Sequence, residues 1–246
     1  MGRKGAADDL ARIAAEVVAC KRCPRLRAHC LEIARRKRRA YAEEDYWGRP
    51  VPGFGDGAAR LVVMGLAPAA HGANRTGRLF TGDSSGEWLW RALHEFGFAS
   101  QPLGRYRGDG LTLNGCYVTA AARCAPPGNR PESGELASCR PYLARELHLL
   151  TNAVVYLALG RIAFEALLAT LPELGLGPLP ARGAFRHGGL WTLVPGGRSL
   201  LASYHPSRQN TQTGRLTRRM FHAVFRRARK LITENRQVRN TAEKVS

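Results

Sequence analysis

Acidic residues are scarce in this chain. Nineteen Asp and Glu stand against 38 Lys and Arg, a formal net charge of +19 over 246 residues. A surplus of that size goes far beyond what solubility requires and argues for a polyanionic partner, nucleic acid before any other. Long hydrophobic runs are missing as well: nothing approaches the roughly 18 consecutive apolar residues of a membrane-spanning helix. The polar start MGRKGAADDL lacks the apolar core of a signal peptide. These absences predict a cytoplasmic, nucleoid-associated protein with no membrane partner. The phosphate-cradling signatures GxxxxGK[ST] and GxGxxG are also absent after any apolar run, which argues against the common nucleotide-binding enzymes. No internal repeat is present.

What is there suits a globular α/β chain. Hydrophobic residues make up 44%, enough for a real core in one domain spanning residues 1–246. Residues 8–39 read as helix broken around CKRCPRLRAHC and ending in the basic run RRKRR, and GRPVPGFGDG (48–57) is a Gly/Pro-rich connector. Together, residues 1–57 form an amino-terminal helical and basic segment. Short apolar runs follow at 61–64, 116–121, 153–159 and 199–204, each suited to a strand buried on both faces. Helical stretches at 84–97, 133–150, 160–170 and 215–234 alternate with them or follow them. The last puts Leu216, Met220, Val224, Ala228 and Leu231 on one face. The expected class is α/β, three layers α/β/α around a mostly parallel four-stranded central sheet. Residues 171–198 read as loop plus one extra short strand, and 236–246 as a flexible tail.

In such sheets ligands sit beyond the carboxyl ends of the strands. The loops leaving those ends are GLAPAAHGANRTGRLFTGD, RCAPPGN, GRIAF and HPSRQN. The cysteines add a second signal. Cys20 and Cys23 form a C-x2-C pair, and Cys124 and Cys139 are separated by fourteen intervening residues. Four thiolates suit zinc or an iron-sulfur cluster. The wide second spacing leans towards iron and sulfur, with zinc and unliganded thiols still open. Cys116 opens an apolar strand and reads as a core thiol, while Cys30 stays open as a further ligand.

On GLAPAAHGANRTGRLFTGDSSGEW, RCAPPGNRP with CRPYL, and HPSRQN, the chain resembles the uracil-DNA glycosylase superfamily, specifically its iron-sulfur members called family five. The resemblance runs from Cys20 to about residue 230. Family four shares the cysteine pattern and strand order but has GEAPG where this chain reads GLAPA. The resemblance implies a 4Fe-4S cluster on Cys20, Cys23, Cys124 and Cys139. It also implies a monomeric DNA-repair hydrolase that flips uracil and related deaminated bases, hypoxanthine and xanthine, out of DNA and leaves an abasic site. No lysine lies in the pocket loops, so no lyase step is expected.

Residue roles follow by the same likeness. Phe80 stacks on the extruded base and Asn129 reads its edge. His205 steadies the charge on the departing base. Ala67 and Asn210 line the site, Arg208 and Gln209 wedge the opened duplex, and Arg75 and Arg78 hold phosphate. Other uracil glycosylases place an Asp, Asn or Glu just after the first strand to hold the attacking water; here Leu66, Ala67 and Ala69 are apolar. Asp83 is then the nearest carboxylate for water or for the sugar cation, or else the cap of the helix SSGEWLWRAL. Both roles are compatible. Ala69 and Ala70 leave room where strict uracil enzymes carry bulk, which implies a broad base range. A non-catalytic nucleic-acid-binding module with a structural metal cluster fits the charge and cysteines equally well, and only Asp83, Asn129 and His205 discriminate.

Overall fold

The four apolar runs pair as parallel neighbours. The computed structural model describes residues 3–195 and 197–245. Its strands are β1 (Phe54–Gly55), β2 (Leu61–Gly65), β3 (Cys116–Ala120), β4 (Val155–Leu159), β5 (Leu190–Leu193) and β6 (Arg198–Ser203), in the sheet order β1-β3-β2-β4-β6-β5. β3, β2, β4 and β6 are mutually parallel, and every residue of β2, β3 and β4 is buried. That is why their sequences run apolar without alternation.

The sheet has six strands rather than the four expected. Antiparallel β5 is the extra short strand anticipated in residues 171–198. Antiparallel β1 lies inside the Gly/Pro connector, with Phe54 opposite Val118 and Gly55 opposite Tyr117. Two residues carry no readable period, so pattern alone misses it.

The helices are α1 (Arg3–Ala19), α2 (Pro24–Arg36), α3 (Ala73–Thr76), α4 (Ser84–Glu95), α5 (Ser133–Leu149), α6 (Arg161–Thr170), α7 (Arg208–Gln212) and α8 (Arg218–Val245). The break expected near the first cysteines falls at residues 20–23, where Pro24 starts α2 at the position that tolerates its missing N–H. α4 and α8 cover one face of the sheet, burying Leu89, Leu93, Phe221 and Phe225 against Val63, Val118 and Leu157. α5 and α6 cover the other with Leu143, Leu147, Phe164 and Leu167 against Val62, Met64 and Tyr156. The three layers are those expected.

α8 is rotated slightly from its expected face. Phe221, Phe225 and Ile232 join Val224 and Ala228 in the core, while Met220 and Leu231 are only partly covered. Burying each of those phenylalanines contributes about 1.5–3 kcal/mol. The 236–246 stretch, set apart as a tail, continues α8 as helix to Val245. No Gly or Pro interrupts the sequence from Arg218 onward; Ser246 lies outside the described residues.

Candidate active site

The loop after β2 folds back against the strand it leaves. Phe80 adopts a left-handed backbone (φ 55°), and its carbonyl accepts the Trp90 indole N–H at 2.5 Å. This turns its ring over Gly65, where a Cβ would stand 2.6 Å from Phe80 Cζ. Only glycine permits that approach. The Phe80 ring then lies nearly parallel to the His205 imidazole, 6.0 Å between centroids and 25° between planes.

His205 emerges from β6 as expected. Asn210 Nδ2 donates to its carbonyl at 2.9 Å, and Ser207 caps α7 by accepting the Asn210 N–H at 3.4 Å. Burial lowers the His205 pKa and the charge of Asp83 partly opposes that fall. The ring is therefore neutral at neutral pH and presents one N–H donor. The turn before it is set by His187, whose Nδ1 accepts the Tyr204 N–H at 3.2 Å. Burial lowers the His187 pKa too, which suits an acceptor nitrogen. Nothing in the sequence singles out His187.

Asp83 both caps and faces the site. Its Oδ1 accepts the Ser85 N–H (3.0 Å), the Gly86 N–H (3.1 Å) and the Ser85 hydroxyl (2.5 Å). Oδ2 points to the loop: a Cβ on Gly72 would stand 2.7 Å from it. One oxygen thus serves α4 while the other looks into space that a glycine keeps clear. Ala67 and Ala69 are half-buried in the same loop.

The other site residues divide. Asn129 stands on the loop after β3, the neighbouring strand, in a left-handed turn (φ 57°) with its side chain exposed. Arg208 and Gln209 are exposed on α7. Arg215 joins them: its guanidinium lies 4.7 Å over the Tyr204 ring, next to His205. Arg75 and Arg78 are a correction. Arg75 is paired with Glu44, lies 3.8 Å over the Tyr41 ring and donates through Nε to the His71 carbonyl at 2.9 Å. Arg78 is 4% exposed and grips Asp109 through two bonds of 2.8 and 2.7 Å. Both guanidinium groups are spent inside the protein and hold the loop's shape rather than phosphate. Ala70 is also reassigned, because it packs on Leu26, Cys30 and Cys124 instead of lining the pocket.

The cysteines gather where α1, α2, β3 and α5 meet. Cys20 follows α1, Cys23 precedes α2, Cys124 follows β3 and Cys139 lies within α5. Arg25 binds Glu135 through Nε and Nη2, both at 2.9 Å, and so docks the start of α2 on the start of α5. A buried Arg123–Glu146 pair (2.6 Å), which Thr119 joins at 2.7 Å, fixes α5 to β3. Cys23 lies within electrostatic reach of Cys20 and Cys124, and Cys139 within reach of Cys124 and Cys23. Burial raises the Cys23 thiol and pushes Cys139 up to about 11. Among the described residues no three of His, Cys, Asp or Glu are arranged to hold a single metal ion. The donor set is all thiol, and Arg27 Nη1 lies 4.0 Å from Cys124 Sγ, a cation where thiolate charge would collect. The residues fit a four-iron cluster. Cys30 donates to the Ala125 carbonyl at 3.7 Å within the same apolar patch.

A doubly covered parallel sheet, with an aromatic ring, a neutral imidazole and a carboxylate at its carboxyl edge, defines an α/β protein with an enzyme-like site. The chain belongs to the uracil DNA glycosylase superfamily, whose family model matches residues 52–229. It is 55% identical to a type-5 uracil-DNA glycosylase of Thermus thermophilus over 87% of this chain and 94% of that protein. A type-5 uracil-DNA glycosylase of Mycobacterium leprae is 46% identical, covering 92% of this chain and 97% of its own. One from Pyrobaculum aerophilum is 43% identical, over 86% and 88%. No helix among the described residues is long and apolar enough to cross a membrane.

Proposed function

We propose that this protein is a monofunctional DNA glycosylase that hydrolyses the N-glycosidic bond of uracil, and of other deaminated bases such as hypoxanthine and xanthine, in DNA. The observation that carries the reading is the neutral His205 imidazole stacked beside Phe80, within reach of the Asp83 charge. The test is incubation with a uracil-bearing oligonucleotide followed by alkali. Strand scission at the uracil supports the reading, and an intact strand at long times sinks it.

The chemistry follows from these groups. The target nucleotide must first leave the base stack, at a cost of a few kcal/mol. Phe80 then offers its ring to the base, a stack worth about 1–3 kcal/mol. As the glycosidic bond lengthens, negative charge gathers on the base and the sugar becomes an oxocarbenium ion. The His205 N–H donates to the base carbonyl oxygen and stabilises that charge; a neutral ring donates without giving up its proton. The Asp83 carboxylate opposes the sugar's positive charge. A water on its free Oδ2 adds to the sugar carbon and passes its proton to the carboxylate. The base leaves as an anion and is protonated from solvent. Asn129 reads the base edge from the neighbouring loop, and Ala67 and Asn210 shape the surrounding wall. Arg208 and Gln209 on α7 support the opened duplex.

Cys20, Cys23, Cys124 and Cys139 would hold a 4Fe-4S cluster. Bound there, it supplies four iron–thiolate bonds that tie the α1–α2 junction to β3 and α5. The neutral imidazole and the carboxylate carry out the hydrolysis, and the cluster's part is structural. The protein acts as a monomer on DNA in the cytoplasm, associated with the nucleoid.

A further inference from the structure

Two of the arginines expected to meet phosphate are locked into internal ion pairs, so the cations that face solvent near the site matter more. A groove of about 690 Å³ runs between α1 and the segment leading into β1. One wall is the small-residue face of α1, with Ala14 and Val18. The other wall and the end carry Lys21, Arg27, Arg49 and Arg107, and no acidic residue lines it. Lys21, Arg49 and Arg107 are exposed. Among the described residues no carboxylate pairs with any of the four.

The cations are held in place. Arg49 and Arg107 lie over the Trp47 ring at 5.7 and 4.9 Å. Trp47 is anchored by its N–H to the Arg75 carbonyl (2.9 Å) and its indole N–H to the Pro50 carbonyl (3.1 Å). A Cβ on Gly77 would stand 3.1 Å from its ring. Arg107 donates its backbone N–H to the Thr76 carbonyl at 3.1 Å, and Arg27 Nη2 donates to the Gly48 carbonyl at 2.9 Å. This platform therefore leans on the same 73–77 turn that supports the site loop. It also lies at the correct end of the sheet, because the Val51 N–H bonds the Arg123 carbonyl (2.7 Å) just beyond the carboxyl end of β3.

We propose that this groove binds the phosphodiester backbone of the DNA strand flanking the flipped nucleotide, with Lys21, Arg49 and Arg107 meeting phosphates and the α1 wall meeting sugar. The proposal rests on the glycosylase reading for its orientation, but the charge pattern stands without it. Clustered unpaired cations and no acid suit a polyanion, and an acidic protein is the competing occupant.

The experiment measures affinity for a uracil-free 30-base-pair duplex at several salt concentrations, for the wild-type chain and for Arg49→Glu/Arg107→Glu. Two lost phosphate contacts lower the log–log salt slope by about 1.8. Lys21→Glu, at an exposed position with no ion pair, guards against misfolding and lowers the slope by about 0.9. Shortening the duplex on one side should cost the wild-type chain affinity and leave the double variant unchanged. A slope within about 0.3 of the wild-type value in both variants overturns the proposal, and an acidic protein as the true occupant gives that result. Because this duplex carries no uracil, groove binding is measured apart from excision: a wild-type chain that binds through the groove yet leaves a uracil-bearing oligonucleotide intact refutes the glycosylase reading alone.

Discussion

Asp83 divides its two oxygens between a helix and a site, and two substitutions separate those tasks. Asn serves as an N-cap about as well as Asp, so Asp83→Asn keeps the acceptor for the Ser85 and Gly86 amides that now bond Oδ1 at 3.0 and 3.1 Å. It removes only the charge. Asp83→Ala removes both. Loss of the cap costs about 1 kcal/mol, within a range of about 0.5–2, and in a chain of this size each kcal/mol lowers the Tm by about 2–4 °C. Loss of the carboxylate as base and counter-charge costs about 10²- to 10⁴-fold in rate. The expected pattern is two variants with similar collapse of single-turnover excision, but with only the alanine variant melting several degrees lower. The His205 ring offers an independent readout. The Asp83 charge raises its pKa against the effect of burial, so Asp83→Asn should move the His205 titration, followed by NMR, to still lower pH. Wild-type excision in Asp83→Asn, alongside a lower Tm in Asp83→Ala, would reduce Asp83 to a cap.

Other outcomes follow from the same geometry. His205→Ala should lose about 10²- to 10³-fold in excision, the effect of one missing donor to a developing oxyanion, while DNA affinity measured by anisotropy stays. Because burial holds His205 neutral, single-turnover excision should stay flat from pH 8 down through 6.5; a fall as pH rises through 6.5 would mean a charged ring is required. On the stability side, the His205 pKa is lower folded than unfolded, so its contribution is complete above about 6.5 and lost as pH falls towards the depressed value. Arg78→Met strands the buried Asp109 carboxylate and should cost about 3–5 kcal/mol in denaturant melts, with the DNA salt slope untouched. Protein purified without oxygen should carry about four irons, whereas Cys23→Ala should lose stability before chemistry; stoichiometric zinc without iron would refute the cluster. Duplexes with uracil, hypoxanthine, xanthine or thymine opposite guanine should give graded rates, and Ala69→Tyr should narrow the range, whereas cleavage of uracil alone would mean that another residue closes the pocket.

How much of this was legible depended on whether the signal was local. β2, β3 and β4 announced themselves because strands buried on both faces leave continuous apolar runs, and β1 did not because its two residues become a strand only through Val118 and Tyr117. The cap at Asp83 was legible in the residues that follow it. The neutral state of His205 was not, since it comes from burial contributed by other segments. His187 carries no local signature at all; its role comes from distant partners, the Tyr204 N–H seventeen residues on and the Ser203 hydroxyl beside it. Arg75 and Arg78 show the same limit from the other side. A sequence displays a charge but not its partner, and each of these arginines finds its carboxylate 31 residues away, in Glu44 and Asp109.

Those two pairs bear on why the loop after β2 can be so long and still form a site. A segment rich in small residues buries little apolar surface of its own, and ordering each residue costs about 1–2 kcal/mol of backbone entropy. Something must offset that cost if Phe80 and Asp83 are to be in place before DNA arrives. Arg78 anchors the loop to Asp109, with 4% and 6% of the two side chains exposed, and Arg75 ties it to Glu44, the Tyr41 ring and the His71 carbonyl. Basic residues in the motif therefore serve geometry first. On the proposed reading, phosphate contact falls to cations outside the loop, on α7 and beside α1, where a side chain can exchange water for DNA without unmaking the site.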